Sequence, residues 1–249
     1  METYTRFNEY VDLYDKYRLK YNTDVLNSTI KHISGNKTNL NIADIGAGTG
    51  ILTRQLLKYK FNNYYALEPN ALMQEKSIKL DVKDQITHIN NVSTNTDLKK
   101  SDIDIIFVGT AIHWFEPKKT LKEFKRILKK NGYLVILSSG YSDEIGEHVD
   151  ILHKKFRKEP KNAVNTVRYK RGMANYSDKF YTIISRKKLK LTLDQFIGLQ
   201  LSMSTSLQKT DKHYNDYVNG LEAIFNKYSA NNILVINNKT TALISNCLL

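Results

Sequence analysis

The sequence predicts an α/β protein in which helices cover both faces of a mostly parallel β-sheet, giving a three-layer sandwich. Two observations predict it. Between 40 and 158, apolar runs of strand length alternate with amphipathic runs of helix length, as in a parallel sheet covered by helices. One strand-to-helix turn carries glycines at three alternate positions, 46, 48 and 50. Such a turn lets a ligand lie against bare backbone at the start of a helix.

The core elements follow in a regular order along the chain. The helix at 118–130 is the clearest, because Leu121, Phe124, Ile127 and Leu128 form one apolar stripe. Pro117 suits its first turn, and Asn131-Gly132 supplies its stop. The predicted strands are 40–45, 63–68, 86–90, 103–109 and 132–138. The predicted helices are 50–60, 70–80, 118–130 and 143–158.

The C-terminal hundred residues differ in character from this core. The polar, basic stretch 161–177 is expected to form a loop over the site, and 180–193 reads as a strand. Two helices should follow, at 193–207 and 216–229. The run 232–246 is expected to be a hairpin turning at Asn237-Asn238. These elements predict an antiparallel C-terminal end to the sheet, with helices inserted before its last strand.

Length and composition favour a single domain over 1–249, since 41% hydrophobic residues suffice for one large core. We divide it into an N-terminal helical cap at 1–39, a ligand-binding core at 40–140 and a C-terminal half at 141–249. The N-terminus lacks the apolar stretch of a signal peptide, and no run of 18 apolar residues occurs. The only cysteine, Cys247, excludes an intrachain disulfide. We expect a cytoplasmic protein without membrane insertion.

The net charge of +13 alone would favour a nucleic-acid partner. The bias towards Lys, Asn, Ile and Tyr is equally typical of an AT-rich genome. The densest cluster lies on the outer face of the helix at 118–130, where lysines commonly form a solvated surface. His148 and His153 are five residues apart with no third ligand nearby, so no metal site is predicted. The composition therefore leaves an anionic partner as the weaker alternative.

The glycine turn itself distinguishes between two classes of cofactor. The dinucleotide-binding fingerprint requires a glycine at the sixth position, where this chain has Ile51. Instead an acid, Asp44, precedes Gly46 by two residues. Glu68 ends the next predicted strand, about where a carboxylate would hold both hydroxyls of a ribose. The combination Asp44-Ile-Gly46-Ala-Gly48-Thr-Gly50 with Glu68 resembles the first motifs of class I S-adenosylmethionine-dependent methyltransferases.

A second stretch carries the same resemblance. Gly109-Thr-Ala-Ile-His113-Trp114-Phe115 follows a nearly pure apolar strand and precedes the lysine-rich helix. It resembles the corresponding loop of the methyltransferase-11-like or UbiE-like bacterial group, to which trans-aconitate methyltransferase is related. The resemblance covers about 1–140 well. It implies a Rossmann-like fold with a seven-stranded sheet, S-adenosylmethionine as cofactor and S-adenosylhomocysteine as product.

The resemblance also implies roles for single residues. Glu68 would take the ribose hydroxyls, and Asp44 would organise the loop or meet the cofactor's amino group. Val92 stands where many relatives carry an acid, so a backbone contact or Ser93 would have to bind the adenine amine. The full set implied to bind the cofactor is Arg18, Asp44, Gly46, Ala47, Gly48, Gly50, Glu68, Pro69, Val92, Ser93, Gly109 and Thr110.

Near the N-terminus, Tyr14 to Tyr21 resembles the group's Y-x-x-Y-R-P-x-Y segment, with Leu19 replacing the proline. Arg18 would there meet the cofactor's carboxylate. Tyr10, Tyr14, Tyr17 and Tyr21 recur every three or four residues, which marks one helix face. That face either packs into the protein or covers the methyl-transfer site, where Tyr14 and Tyr21 would contact the acceptor.

His113 is the one candidate catalytic residue, because an imidazole can take a proton from a hydroxyl or amine nucleophile near neutral pH. A structural histidine is the alternative. Trp114 is either a wedge in the loop or, with His113, part of the acceptor site. Methyl transfer needs no base when the acceptor carries no proton to lose, so the absence of a catalytic triad does not count against an enzyme.

The function predicted is methyl transfer from S-adenosylmethionine to an O, N or C nucleophile of a small molecule by in-line displacement. One alternative is an RNA (tRNA) methyltransferase, which the charge favours. It is disfavoured because no Asn/Asp-Pro-Pro-Tyr/Phe loop follows the fourth strand. The other alternative is a non-catalytic S-adenosylmethionine-binding protein. The intact glycines and Glu68 argue against it.

Overall fold

The sheet of the computed structural model has seven strands in the order β3-β2-β1-β4-β5-β7-β6. Every neighbouring pair from β3 to β5 is parallel, while β7 runs antiparallel to both β5 and β6. The structure describes residues 10–35, 39–141, 143–156, 173–203, 206, 207, 209–246 and 248. The strands are β1 Asn41–Ile45, β2 Asn63–Leu67, β3 Thr87–Ile89, β4 Ile103–Gly109, β5 Leu128–Gly140, β6 Tyr181–Leu191 and β7 Leu234–Ser245.

The predicted α/β sandwich is confirmed, and helices separate most consecutive strands. The α-helices of the described residues are α1 Val11–Tyr17, α2 Thr23–Ser34, α3 Ile51–Leu56, α4 Ala71–Leu80, α5 Pro117–Ile127, α6 Glu144–Phe156, α7 Leu193–Leu201 and α8 Tyr214–Tyr228. Short 3-10 turns follow α3 at Leu57–Tyr59 and precede α5 at Ile112–Trp114. As predicted, helices α7 and α8 are inserted before the last strand.

Alternate residues of the central strands pack on opposite faces, which produces two main cores. On one face Ile105 and Phe107 of β4 pack with Leu26 of α2. On the other face Ile106 and Phe124 pack together, Phe124 being contributed by α5. A third apolar cluster joins α6, α7 and α8 to the far end of β7. No helix within the described ranges is long and apolar enough to cross a membrane.

The predicted C-terminal hairpin is wrong. Asn237 and Asn238 lie inside β7, which runs unbroken and pairs with β6 from Leu234 to Ile244. Even-numbered positions of β7 are buried, and the buried Asn238 side chain accepts from Ser139 Oγ at 3.0 Å. Because partners within the fold satisfy this amide, a polar pair can occupy the middle of a strand.

The stop predicted for the helix at 118–130 is also wrong. Pro117 occupies the first turn as expected, but α5 ends at Ile127 and Leu128 already pairs with Ile103 of β4. Asn131 and Gly132 lie in the irregular part of the β4–β5 pairing. Burial of Leu128 against the sheet outweighs the turn preference of the dipeptide.

Two predicted features lie partly or wholly outside the described residues. Of the predicted loop at 161–177, only 173–177 lie within the described residues; there Tyr176 is fully buried and packs against Phe124. Cys247 lies outside the described residues.

The predicted helix face of four tyrosines is wrong at its C-terminal end, because α1 ends at Tyr17 and Tyr21 lies beyond it.

Candidate active site

The glycine turn after β1 is held open by its backbone conformation. Gly46, Gly48 and Gly50 have φ angles of +75°, +59° and +78°, in the left-handed region that favours glycine. A β-carbon on Gly46 would lie 2.7 Å from Ala111 Cβ, so no larger residue fits there. The N–H groups of Gly46 and Ala47 both donate to the Leu67 carbonyl at 2.9 Å. The turn is thereby fixed to the end of β2.

Glu68, the residue after β2, links this turn to the next helix. Its Oε2 accepts from the Gly48 N–H at 2.8 Å, and its Oε1 accepts from the Asn70 N–H at 2.9 Å. The side chain of Asn70 caps α4 by accepting from the Met73 N–H at 3.1 Å. Burial raises the pKa of the Glu68 carboxyl, while the two backbone donors oppose that shift. A preorganised carboxylate therefore lies between the two loops.

The loop after β4 contains a strained residue. Thr110 has a φ of +55°, which is an outlier for a β-branched side chain. Its N–H donates to the Leu137 carbonyl at 2.8 Å, and its hydroxyl lies 3.0 Å from the Tyr21 hydroxyl. A β-carbon on the preceding Gly109 would lie 2.7 Å from that same hydroxyl. Strain of this kind is concentrated at functional sites.

These loops enclose a cavity of about 280 Å³ at the carboxyl ends of β1, β2 and β4. Ligands of open α/β sheets bind at this edge. The lining residues are Tyr14, Arg18, Gly46, Gly48, Glu68, Pro69, Met73, Asn91, Val92, Ser93, Thr94, Gly109, Thr110, Ala111, His113, Trp114, Phe115, Glu116 and Lys119. The structure thus brings twelve predicted site residues to one place, from Tyr14 to Trp114 along the chain.

A second cavity, of about 20 Å³, shares part of this lining. Asp44, Ala47 and Tyr21 line it but not the larger cavity. Gly50 lines neither, because it lies against α4, where a β-carbon would clash with the Ser77 side chain. The predicted contact of Gly50 with the cofactor therefore has no counterpart in these cavities, and its left-handed φ serves the helix start.

Asp44 is 1% exposed at the end of β1. Its Oδ2 accepts from the Thr53 hydroxyl at 2.6 Å, while its Oδ1 has no hydrogen-bond partner among the described residues. Burial raises the pKa of this carboxyl from 3.8 to about 7, and the nearby Glu68 carboxylate adds to the rise. The geometry serves the turn through Thr53 and leaves one oxygen for a cationic or donor group.

Arg18 and Tyr14 reach the cavity from the N-terminal cap. The Arg18 guanidinium lies 5.3 Å from the centre of the Tyr14 ring. Its Nη1 is buried without a hydrogen-bond partner among the described residues. A buried donor of this kind needs an acceptor, and a bound carboxylate would supply one.

His113 and Trp114 lie side by side in the 3-10 turn before α5. Their ring centres are 4.9 Å apart at an angle of 46°. Phe115 follows and packs edge-on against Phe124 of α5, which anchors the turn to the core. The imidazole of His113 thus lines the cavity on a well-packed loop, where either a catalytic or a structural role is compatible with its position.

In the loop after β3, the Ser93 hydroxyl and the Val92 N–H already have partners within the fold. The Ser93 hydroxyl lies 2.8 Å from that of Thr120, and the Val92 N–H donates to the Asn91 side chain at 3.0 Å. Sequence reasoning missed Met73, Thr94, Glu116 and Lys119 in the lining. Met73 had a signal, since it lies one turn into the helix that follows Glu68. Nothing in the local sequence singles out the others.

Comparison with known proteins gives a family match over part of the chain. Residues 43–136 match the family described as a methyltransferase domain. That range begins in β1, ends in β5 and contains the glycine turn, Glu68 and the loop after β4. Among the described residues, no group of three or more His, Cys, Asp or Glu is arranged to hold a metal ion.

Similar sequences carry methyltransferase names. A Dictyostelium discoideum protein named as a methyltransferase is 35% identical over 135 residues, covering 54% of this chain and 49% of that protein. The malonyl-[acyl-carrier protein] O-methyltransferase of Brevibacillus brevis is 28% identical over 144 residues, covering 55% and 52%. The chain spans about half the length of these curated relatives.

Solved structures agree over nearly the whole chain. A protein from Anaeromyxobacter dehalogenans described as a type II methyltransferase has a TM-score of 0.68 at 15% identity, covering 92% of this chain and 96% of that one. A Haemonchus contortus phosphoethanolamine N-methyltransferase, solved with S-adenosylhomocysteine, has a TM-score of 0.53 at 13% identity, covering 98% and 60%. At these identities the likeness concerns the fold. Residues 43–136 of this chain therefore resemble a methyltransferase domain, and the chain shares the fold of these solved methyltransferases.

Proposed function

We propose that this protein transfers a methyl group from S-adenosylmethionine to a small-molecule nucleophile. One observation carries the proposal. The cavity holds a buried carboxylate, Glu68, between the glycine turn and α4, and in our proposal this carboxylate accepts hydrogen bonds from the two hydroxyls of a ribose. Its two backbone bonds leave further acceptor capacity on both oxygens.

The remaining lining fits the two ends of such a cofactor. In our proposal the adenosine lies along Glu68, Pro69, Val92 and Ser93, and the methionine part lies along Gly46 and Arg18. Among the described residues, Arg18 Nη1 and Asp44 Oδ1 have no hydrogen-bond partner; the first suits a carboxylate and the second an ammonium group. At the adenine end, the engaged Ser93 hydroxyl and the apolar Val92 leave fewer free polar groups. We therefore expect affinity to depend mostly on the ribose and the methionine end.

When bound, S-adenosylmethionine supplies a methyl group on a positively charged sulfur, which needs no further activation. The residues of this chain would orient the acceptor and exclude water. Alignment of two reactants can supply about 7–11 kcal/mol of rate enhancement. Tyr14, Trp114 and Phe115 give the cavity an aromatic wall suited to this task. His113 would accept a proton only if the acceptor is a hydroxyl or a protonated amine.

The choice of a small acceptor rests on the size and enclosure of the site. A cavity of about 280 Å³ lies at the lower end of the range for small-molecule sites, so a compact acceptor suits it better than a polymer chain. The two named relatives methylate different atoms, as their names state O- and N-methylation. The likeness to these proteins therefore does not specify the acceptor. We would choose candidate acceptors by their fit to the aromatic lining of the cavity.

The assay that tests this proposal follows methyl transfer from labelled S-adenosylmethionine to a panel of small amines, alcohols and carboxylic acids. We expect turnover with at least one small acceptor. The variant His113→Asn is assayed in parallel, because it changes the candidate base and leaves the Glu68 side of the cavity intact. Binding of S-adenosylhomocysteine with no turnover on any acceptor would instead support a non-catalytic binding protein.

RNA methylation is a second candidate, favoured by one specific surface. Arg186 of β6 lies directly opposite Lys239 of β7, and Lys188 and Lys190 continue along the same sheet face. Like charges directly opposite each other destabilise a sheet. Among the described residues, no acid forms an ion pair with these four cations. An anionic partner would relieve that repulsion.

A salt titration of tRNA binding separates the two candidates. Nonspecific attraction by lysines falls steeply as salt rises towards physiological strength. For the small-molecule proposal we expect tRNA binding to be lost by about 0.15 M salt, with no methyl transfer to tRNA. Tight binding that persists at this salt, together with methylated tRNA, would favour the second candidate.

A further inference from the structure

We propose that Asp15 and Arg54 are a positioning pair, which fastens α1 to the glycine turn and so sets Tyr14 and Arg18 against the cavity. Neither Asp15 nor Arg54 lines the cavity. Their effect on cofactor binding rests on the proposed function, whereas the fastening itself can be measured without any cofactor.

The guanidinium of Arg54 connects helix α1 to the glycine turn. Its Nη2 donates to Asp15 Oδ1 at 2.6 Å, and its Nη1 donates to the backbone carbonyl of Thr49. Thr49 lies between Gly48 and Gly50 and is fully buried. A planar guanidinium can hold two acceptors at fixed angles, which an ammonium group cannot do. Arg54 therefore fixes the position of α1 relative to the turn that contacts the ligand.

The pair is protected from solvent. The Asp15 and Arg54 side chains are 18% and 24% exposed. A partly buried, charge-assisted contact of this kind is stronger than a surface ion pair. A second ion pair on the same helix, Asp12 with Lys76 at 2.7 Å, offers a contrast because Asp12 is 88% exposed. The structure thus contains a matched control on α1 itself.

The next residue of α3 fastens the other end of the same segment. Gln55 Oε1 accepts from the Tyr21 N–H at 3.0 Å, and Gln55 Nε2 donates to the Tyr21 carbonyl at 2.9 Å. Tyr14 and Arg18 lie between these two attachments, at Asp15 and at Tyr21. Adjacent side chains of α3 thereby hold both ends of the stretch that covers the cavity.

On its outer side α1 rests against α7. The Tyr17 hydroxyl donates to Asp194 at 2.7 Å, and a β-carbon on Gly198 would clash with the Tyr17 ring. This contact would keep α1 near the protein if the Asp15 pair were lost. We therefore expect Asp15→Asn to loosen the placement of Tyr14 and Arg18 without unfolding the chain.

The test compares Asp15→Asn and Arg54→Lys with the control Asp12→Asn. Hydrogen exchange of the α1 amides is measured without ligand, including the Arg18 N–H that donates to Tyr14. Affinity for S-adenosylhomocysteine is measured by calorimetry, and thermal unfolding shows whether each variant is folded. For both test variants we expect about tenfold faster exchange and about tenfold weaker binding, which corresponds to about 1.4 kcal/mol. The control should stay within twofold of the wild type.

The outcomes separate this inference from the proposed function. If the folded Asp15→Asn protein matches the control in both exchange and affinity, the positioning pair is overturned. Weaker binding with unchanged exchange would also overturn it, since Asp15 would then act without moving α1. If the wild type binds no S-adenosylhomocysteine but Asp15→Asn exchanges faster than the control, the proposed function fails and the fastening of α1 is supported.

Discussion

The buried Glu68 carboxylate accepts the Gly48 N–H at 2.8 Å and so joins the end of β2 to the glycine turn after β1. Its other oxygen accepts the Asn70 N–H at the start of α4. The carboxylate is therefore oriented before any ligand arrives, which lowers the entropic cost of binding a pair of hydroxyls.

Replacing this carboxylate by an amide should weaken ligand binding. In Glu68→Gln, one of the two backbone N–H groups would face an NH₂ group and lose its acceptor. This destabilises the folded arrangement of the turn by about 1–3 kcal/mol and leaves one acceptor oxygen fewer for the ligand. We expect the dissociation constant for S-adenosylhomocysteine, measured by calorimetry, to rise at least tenfold. Glu75→Gln, on the exposed side of α4, is the control. Equal affinity of Glu68→Gln and wild type would show that Glu68 does not contact the ligand.

The glycine at the first position of the turn should tolerate no side chain. Gly46→Ala combines a left-handed φ with a β-carbon 2.7 Å from Ala111 Cβ, so we expect the free energy of unfolding to fall by about 2–3 kcal/mol. Denaturant titration measures it. Gly140→Ala is the matched control, because among the described residues only the chain neighbours of Gly140 could come within 4 Å of its added β-carbon. A Gly46→Ala variant as stable as Gly140→Ala would contradict the account of the turn.

Asp44 should make stability depend on pH. Its pKa rises from 3.8 to about 7 on folding because the carboxyl is buried. The folded chain therefore binds this proton more tightly than the unfolded chain, and the stability it confers is lost as pH rises from about 4 to about 7. The loss could reach about 4 kcal/mol. Asp44→Asn, whose carbonyl oxygen can still accept from Thr53, should lack this contribution.

The measurement compares urea unfolding of wild type and Asp44→Asn between pH 4 and pH 8. The free energy of unfolding of the variant, relative to wild type, should increase across this range. A difference that stays constant with pH would mean that Asp44 titrates normally in the folded protein. Other acids titrate in both proteins, so the comparison isolates the contribution of Asp44.

His113→Asn tests the candidate base once a small acceptor is found. If the imidazole removes a proton in the transition state, kcat should fall by about 10²–10⁴-fold. Affinity for S-adenosylhomocysteine should change less than threefold. An unchanged kcat and an unchanged pH–rate profile would leave His113 a structural residue beside Trp114.

Much of the fold follows from local patterns in the sequence. The strand–turn–helix order around Gly46 and the apolar stripe of α5 predict elements that the structure contains. The exact end of α5 could not be predicted, because Leu128 is recruited into β5 by pairing with Ile103, far away in sequence. The uninterrupted β7 depends likewise on partners of Asn238 contributed by distant residues.

The site residues also fall into two groups, those predictable from the sequence and those that are not. Residues next to strand ends, such as Glu68 and Gly109, could be named because all parallel strands deliver them to one edge of the sheet. Thr94 and Lys119, the latter in the first turn of α5, join the lining only through tertiary packing that no motif marks. The strain at Thr110 and the Arg54–Asp15 contact arise from tertiary structure. No local sequence pattern encodes either of them.

Calorimetric titration of the wild-type protein with S-adenosylhomocysteine tests the central claim most directly. We predict one binding site per chain with a micromolar dissociation constant, together with a change in fluorescence from Trp114, which lines the cavity and is the single tryptophan of the chain. A protein shown to be folded by circular dichroism that gives no heat of binding and no fluorescence change at millimolar ligand would contradict the claim.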